Sequence, residues 1–345
     1  MPDIYKRLVI THIHEEVNDV KLFYLQEDGE KITYKAGQYL TFILPEGETE
    51  VRRSYSIASS PVLDEILYIG VKRINNGTFS RKLVDNAKVG DELLTLGAGG
   101  LFVIPEETST CKELFFFAAG SGIIPIYSLL RTALYTHPHL QLILVYSNNR
   151  ESTTIFYEPL KELAAQFADR LTIEFIFSDA KNLFKAHLHA DLIEQLVKEY
   201  SGSRFGEALY YVCGPEAYMR LCSFTLRVLK VPADNIKREI FHTTKSVQKI
   251  EPPDNAPHDV ILIRGDERLT VRVQHPESIL LAARKQGIIL PYSCEVGRCG
   301  NCIAKCEEGK VWMSYNEVLT EKEIAQGLVL TCTGYPIEGD ATIRY

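Results

Sequence analysis

The sequence predicts three folded parts in series: an antiparallel β-barrel, a doubly wound α/β sheet and a compact α+β unit. Three observations predict them. Apolar and polar residues alternate with a period of two through roughly the first hundred positions. Strand and helix patterns then alternate from about residue 112, and a polar, proline-bearing stretch at 243–257 sets off the remainder of the chain. A chain of 345 residues exceeds one ordinary core, so several domains are the natural expectation. The predicted divisions are 1–107, 108–243, a linker at 244–257, and 258–345.

In the first part, KRLVITHIHE, VKLFYLQ, YLTFILP, SYSIAS, EILYIGVKR and DELLTLG read as short strands punctuated by Gly and Pro. SRKLVDNA reads as a short helix between the last two. ELFFFAAG then opens the second part as a continuous apolar run, as expected of a strand buried on both faces of a parallel sheet. Helix PIYSLLRTALY follows, and the pattern repeats through QLILVYS, EPLKELAAQFA, LTIEFIFS, ADLIEQLVKEY, ALYYVCG, PEAYMRLCSFTLRVL and IKREIF. Such alternation predicts a doubly wound fold. TTKSVQKIEPPDNAP has no periodicity and reads as a linker. The last part opens with strands HDVILIRG and LTVRV and contains a short helix, SILLAARKQG.

A net charge of -7 argues against a general nucleic-acid binder, which needs a basic face. No apolar run approaches the roughly 18 residues that span a bilayer, so no membrane is expected. MPDIYKRLVI has neither a long apolar core nor a small-residue cleavage site. With eight cysteines and no export signal, the expected compartment is a reducing one, the cytoplasm, with thiols used for chemistry.

Cys294, Cys299 and Cys302 stand at the spacing C-x4-C-x2-C, and Cys332 follows thirty residues later. That is the plant-type spacing for a [2Fe–2S] cluster. Gly297 and Gly300 give the loop the freedom to wrap closely around an inorganic core, and nearby N–H groups can bond the sulfurs. Zinc knuckles usually show two C-x2-C pairs instead, and disulfides suit a different compartment. Cys306 reads as a buried small side chain rather than a fifth ligand.

A one-electron centre needs a source, and two upstream motifs suggest one. In RRSYSIASS, Arg53 is suited to pair with phosphate, Tyr55 to cover an isoalloxazine face and Ser56 to reach its polar edge. In VKRINNGTFS, which carries Lys72, Gly77 and Ser80 open a turn whose N–H groups can hold pyrophosphate oxygens. AAGSGIIP ends a buried strand and opens a helix, the setting in which a glycine turn holds dinucleotide phosphate. Gly120 and Gly122 allow close approach, and Pro125 suits the first helical turn. In YYVCGPEAYM, Cys213 closes a strand at the carboxyl edge of the sheet, where doubly wound folds bind ligands. Taken alone, it is equally an inert buried thiol.

Together these motifs resemble the ferredoxin–NADP reductase superfamily carrying a C-terminal plant-type ferredoxin domain. R-x-Y-S and G-x-x-S match at Arg53, Tyr55, Ser56, Gly77 and Ser80; G-x-G-x-x-P matches at Gly120, Gly122 and Pro125; C-G-P matches at Cys213, Gly214 and Pro215. The resemblance implies an FAD-binding barrel, an NAD(P)H-binding domain and a β-grasp-like ferredoxin domain. It makes Cys294, Cys299, Cys302 and Cys332 the cluster ligands, puts Cys213 near the nicotinamide ring, and puts Glu239 and Phe241 of REIF beside the flavin. The order of domains is similar to the reductase subunits of multicomponent oxygenases, the phenylacetyl-CoA epoxidase (ring-oxygenating) systems among them.

The expected function is therefore an electron relay from NADPH through FAD to a [2Fe–2S] cluster and on to an oxygenase or other acceptor protein docking near the cluster. Ser56, Cys213 and Glu239 form the expected catalytic set. Strand QLILVYS runs into NNRES with no acid directly at its tip, so Ser147 and Arg150, with Thr153, favour NADPH, while Glu151 keeps NADH as the alternative. The alternatives to the oxygenase reading are a general ferredoxin-type reductase serving a desaturase, and a redox-sensing module without turnover. Glu307 and Glu308 read as a solvated turn, and Glu295 and Arg298, on a loop expected to dock the partner, as the first residues to change for partner choice.

Overall fold

The structure of the protein, a computed structural model, describes residues 5–46, 49–182, 184, 186–201, 204–241 and 250–345. It divides into two compact units, Met1–Glu239 and Ile240–Tyr345.

The first unit begins with six antiparallel strands: β1 (Lys6–Val17), β2 (Val20–Glu27), β3 (Tyr39–Glu46), β4 (Thr49–Ser56), β5 (Tyr68–Lys72) and β6 (Glu92–Gly99), in the order β4-β3-β6-β1-β2-β5. The period-two pattern decides which residues turn inward. Leu8, Ile10, Phe23, Leu25, Leu40 and Phe42 are wholly buried and fill one core. An antiparallel bridge from Ile57, just past β4, to Ile69 on β5 joins the two ends of the sheet, making it a barrel with no free edge at that point. The expected short helix is present as α1 (Thr78–Arg81) running into one π-helical turn, Lys82–Asn86.

Five parallel strands follow: β7 (Glu113–Ala119), β8 (Gln141–Asn148), β9 (Leu171–Phe177), β10 (Ala208–Cys213) and β11 (Ile236–Glu239), in the order β11-β10-β7-β8-β9. They are connected through α2 (Ile123–Thr136), α3 (Tyr157–Gln166), α4 (Ala190–Ser201) and α5 (Glu216–Val228). Leu114 to Ala118 are fully buried, as a central strand covered on both faces requires. The strand order reverses between β7 and β10, which opens a crevice at their carboxyl ends.

The sequence division at 107/108 marks no break in packing. Val20, Leu22, Ala58, Tyr68 and Phe102 share one core with β7 and α2. A β-carbon at Gly70 on β5 would lie 2.6 Å from Ile124 Cδ1 on α2, so the two parts touch closely. Arg131 of α2 donates to Glu65 and to the Ala58 carbonyl, and Ser60 bonds Thr132 at 2.7 Å. Glu16 accepts from the Phe156 N–H at 2.7 Å. These contacts are long-range in sequence, which is why the local pattern does not announce them.

The second unit holds β12 (His258–Arg264), β13 (Glu267–Val273), α6 (Ile279–Lys285), β14 (Ile303–Glu308), β15 (Val311–Met313), α7 (Glu321–Ala325), β16 (Leu328–Leu330), β17 (Gly334–Pro336) and β18 (Ala341–Arg344). Five of its strands form a mixed sheet in the order β13-β12-β18-β14-β16, with β15 and β17 as a separate pair. Ser278 caps α6 through the Leu281 N–H, and Thr320 with Glu323 forms a capping box on α7; caps of this kind contribute about 1 kcal/mol each.

Of the stretch expected as a linker, residues 244–249 lie outside the described residues. Asp254 is fixed to the second unit: it accepts from the N–H groups of Ala256 and Glu338 and from His258, which hold its carboxyl down at about 2. Glu307 and Glu308 are strand residues of β14, not a solvated turn, and they bond Arg344 and Thr342 of β18. A register shift between Cys306 and Glu308 turns Cys306 partly outward, so it is half-buried rather than buried. Among the described residues no helix is long and apolar enough to cross a membrane.

Candidate electron-transfer sites

The first site lies where the barrel meets the crevice of the parallel sheet. Parallel register sets Ala118 of β7 beside Cys213 of β10, and Cys213 beside Glu239 of β11. Ser56, the last residue of β4, donates from Oγ to Glu239 Oε1 at 2.9 Å. The three expected catalytic residues are thus brought together from positions 56, 213 and 239, and all are buried. Burial pushes the Glu239 carboxyl up to about 8, against the lowering effect of the Ser56 hydroxyl. Burial likewise pushes the Cys213 thiol well up, with the neighbouring Glu239 carboxylate adding to it. The second oxygen of Glu239 is buried without a hydrogen-bond partner among the described residues.

Alternation along β4 sends Arg53 outward and Arg52 inward. Arg52 is held by Glu50, whereas Arg53 is exposed, donates to the Arg52 carbonyl at 2.7 Å, and has no ion-pair partner among the described residues. Tyr55 packs its ring against Phe79 and Phe42. The Ser80 hydroxyl closes its own turn, accepting from Ile74 N–H and donating to the Gly77 carbonyl. A β-carbon at Gly77 would come within 2.5 Å of that hydroxyl. Lys72 ends β5 and is exposed. Phe241 is 41% exposed and lies past the limit of the first unit.

Gly120, Ser121 and Gly122 form one 3-10 turn that runs directly into α2, with Pro125 in its first turn. Gly120 has a φ of +53°, the left-handed region that favours glycine. At Gly122 a β-carbon would lie 2.1 Å from the Cys213 carbonyl oxygen, so only hydrogen fits. A β-carbon at Gly214 would lie 3.0 Å from the Ala119 β-carbon, a tight contact, and exposed Pro215 leads into α5.

Tyr218 carries no signal in the sequence beyond its place four residues after Gly214 in PEAYM, yet it belongs to this site. Its hydroxyl, the Ser147 hydroxyl and the Asn148 amide nitrogen are all buried without a well-aligned partner. The Tyr218 hydroxyl nonetheless lies close enough to interact with the side chains of Ser147 and Cys222. Closeness without alignment leaves these groups able to turn towards a polar ligand. Arg150 is exposed at the end of β8, where its carbonyl oxygen accepts from the Thr153 and Thr154 hydroxyls. The Glu151 side chain lies close enough to the Tyr157 hydroxyl to influence it electrostatically.

The second site is the cysteine loop of the second unit. Cys302 and Cys332 bring their sulfurs to 3.2 Å, and the Cys299 thiol bonds Cys294. Cys299 is also close enough to Cys302 to influence it electrostatically. Backbone N–H groups of Val296 and Arg298 point at Cys294 Sγ at 3.5 and 3.4 Å, and that of Asn301 at Cys299 Sγ at 3.5 Å. With the Cys299 thiol as the largest cause, these donors hold Cys294 down at about 6, while its partner Cys299 is pushed up. Among the described residues no three His, Cys, Asp or Glu side chains close on one ion. Two sulfur pairs, fitting two irons rather than one, account for that.

The donor sets fit the groups that the motifs imply. An arginine without an ion pair among the described residues suits a flavin phosphate, a glycine turn with no room for a β-carbon at Gly122 suits a dinucleotide, and a carboxyl that keeps its proton has an oxygen free for a ring. Paired sulfurs ringed by N–H donors suit a [2Fe–2S] core.

Comparison with known proteins gives the same three parts in the same order. Family models match for an oxidoreductase FAD-binding domain over 7–104, an oxidoreductase NAD-binding domain over 116–223, and a 2Fe-2S iron-sulfur cluster binding domain over 263–336. The ferredoxin reductase component of 3-ketosteroid-9-alpha-monooxygenase from Mycobacterium tuberculosis is 32% identical, covering 91% of this chain and 86% of that protein. One component of 1,2-phenylacetyl-CoA epoxidase from Escherichia coli K12 is 30% identical over 99% of this chain and 98% of that one. Among solved structures, phthalate dioxygenase reductase covers 99% of this chain and 98% of its own, with a TM-score of 0.61 and 22% identity, a likeness of fold.

Proposed function

The chain belongs to the family of reductase components that join an FAD-binding domain, an NAD-binding domain and a [2Fe–2S] domain, and we propose that it feeds electrons from NADPH to an oxygenase. It is an NAD(P)H-dependent oxidoreductase whose electrons pass by way of FAD to the cluster. Held by the residues of the flavin motif, the flavin would supply the conversion between the two-electron chemistry of nicotinamide and the one-electron chemistry of the cluster.

The observation that carries the reading is the bond from Ser56 to Glu239 across 183 residues, with Cys213 beside it. It joins the strand bearing the flavin motif to the strand next to the nucleotide motif. In this reading Ser56 and Glu239 hold the polar edge of the flavin, and Glu239 keeps a proton available at neutral pH. Cys213 is a neutral, small wall for the nicotinamide ring. Arg53, Tyr55, Lys72, Gly77 and Ser80 bind the flavin nucleotide. Gly120, Gly122, Pro125, Gly214 and Pro215 seat the dinucleotide. Cys294, Cys299, Cys302 and Cys332 hold the irons.

For the coenzyme, Arg150 offers an exposed guanidinium at the tip of β8, and no acidic residue ends that strand. That arrangement favours a 2′-phosphate over a bare ribose. For the acceptor, relatives named for ketosteroid, phenylacetyl-CoA and glycine betaine oxygenation share the reductase parts. The substrate therefore belongs to the partner, and the proposed partner is an oxygenase of the phenylacetyl-CoA epoxidase kind, docking near the cysteine loop.

Purified protein is expected to show flavin and broad iron–sulfur absorption, and both bands to bleach with NADPH. Turnover with a candidate oxygenase and NADPH then tests the partner. A colourless protein holding stoichiometric zinc overturns the reading.

A further inference from the structure

The loop that carries three of the cysteines is fastened by a second loop, and one charge pair dominates the fastening. Arg298 sits between Gly297 and Cys299, and its backbone N–H points at Cys294 Sγ. Its guanidinium Nε lies 2.7 Å from Glu317 Oε2, with only 16% and 30% of the two side chains exposed. The N–H is not aimed squarely at that oxygen. At 2.7 Å the attraction between the charges does not depend on that alignment. Nη2 also reaches the Tyr315 hydroxyl at 3.4 Å, and the guanidinium covers the Tyr315 ring.

The backbone repeats the connection. Glu317 N–H donates to the Gly297 carbonyl at 3.0 Å, and a β-carbon at Gly297 would lie 2.7 Å from the Tyr315 carbonyl oxygen. That same oxygen accepts from the Thr333 hydroxyl at 2.8 Å, and Thr333 follows Cys332 in the chain. Residues 314–317 therefore tie the 294–302 loop to the segment holding the fourth cysteine.

We propose that Arg298 and Glu317 act as a charge-balanced clamp that positions the cysteine loop and sets the local field at the cluster. Arg298 is thereby a positioning residue and not the exposed docking charge that its place in the loop suggests. Glu295, paired with Arg284 at 3.3 Å and half exposed, keeps that surface role. The inference rests on the iron–sulfur reading of the four cysteines.

Its consequence has a sign. Reducing the cluster adds one negative charge. With Glu317 neutralised, the Arg298 cation is left uncompensated in a partly shielded site and favours the added electron. With Arg298 neutralised, the remaining carboxylate opposes it. A residue that merely supported the fold would not send its two partners in opposite directions.

The test is the midpoint potential of the loaded full-length protein, with iron content and the electron paramagnetic resonance signal of the reduced cluster as controls. Glu317→Gln is expected to raise the potential and Arg298→Gln to lower it. Each shift should be about threefold in the one-electron equilibrium constant, about 30 mV at 59 mV per tenfold. The double variant should return to within about twofold of the parent. Two single variants that move the same way, or do not move, with iron fully retained, overturn the clamp. Should a neutralised variant fail to hold iron, Arg298→Lys and Glu317→Asp decide. They keep the charges and should keep the potential, and a shift of about threefold in either sinks the proposal. A parent protein without iron–sulfur absorption overturns the cluster reading instead.

Discussion

Ser56 Oγ donates to Glu239 Oε1 at 2.9 Å, so a hydroxyl from the fourth strand of the barrel holds a carboxyl from the last strand of the parallel sheet. Burial raises that carboxyl to about 8, and the consequence for stability has a definite direction. Below about 4.5 the group is protonated whether the chain is folded or not. Between about 4.5 and 8 the unfolded chain releases the proton while the folded one retains it, so stability falls as pH rises through that window. Glu239→Gln, which cannot ionise, should lose this part of the slope. Urea midpoints for both proteins from about pH 5 to 8 should converge at the acid end and separate towards 8, with the variant the more stable there. Parallel curves would mean that Glu239 ionises freely in the fold.

Gly122 allows a second prediction. A β-carbon there would meet the Cys213 carbonyl oxygen at 2.1 Å, and the nearest obstructing atoms are all main chain of Cys213 and Gly214, which cannot yield as a flexible side chain could. Gly122→Ala should push the glycine turn away from β10 by a fraction of an ångström or more. Displacements of that order cost about 100-fold in rate when they misplace reacting groups. NADPH-driven reduction is expected to fall by that factor, while dithionite still reduces the cluster. Equal losses by both routes would point to general unfolding.

How far the sequence reveals these sites depends on how local their causes are. The first three cysteines, the glycine turn and the strand motif each lie within about ten residues, and backbone geometry imposes their patterns. Ser56, Cys213 and Glu239 are legible one at a time, but their meeting depends on strand order, which periodicity does not encode. Arg298 reads as a docking residue because its partner Glu317 lies nineteen positions on, across a turn that no local pattern predicts. Cys306 reads as buried because nothing local signals the register shift beside it, which alters the facing of the strand. The junction of barrel and sheet escapes the sequence for the same reason: a bare glycine at 70 says nothing of the helix residue packed on it.

That junction makes a third prediction. Arg131 and Glu65 pair with only 11% and 24% of their side chains exposed, and the guanidinium also covers the Tyr127 ring at 4.5 Å. Arg131→Met keeps the stem but leaves the Glu65 carboxylate with the Ser60 N–H in place of a cation. Breaking a fully buried pair costs about 3–5 kcal/mol, and the residual exposure here brings the expectation to about 2–3 kcal/mol. Urea denaturation of the single variants and of Arg131→Met with Glu65→Gln would measure the coupling. Strict additivity would show that the pair contributes nothing beyond its separate side chains.

The coenzyme preference is the sharpest remaining test because it turns on one exposed side chain. Arg150 follows β8 at the carboxyl edge of the sheet, its backbone pinned by Thr153 and Thr154 and its guanidinium free of ion pairs among the described residues. A charge-assisted bond to a phosphate is worth about 1.5–3 kcal/mol. Arg150→Ala should therefore raise the KM for NADPH by about 10- to 100-fold, while leaving kcat and the KM for NADH near their original values. The selectivity matters more than the size. NADH lacks the 2′-phosphate, so a loss confined to NADPH locates that phosphate at Arg150. Equal losses for both coenzymes would instead mean that Arg150 shapes the loop after β8. NADH proving the better donor in the parent protein would instead assign the ribose to the acidic side chain of Glu151.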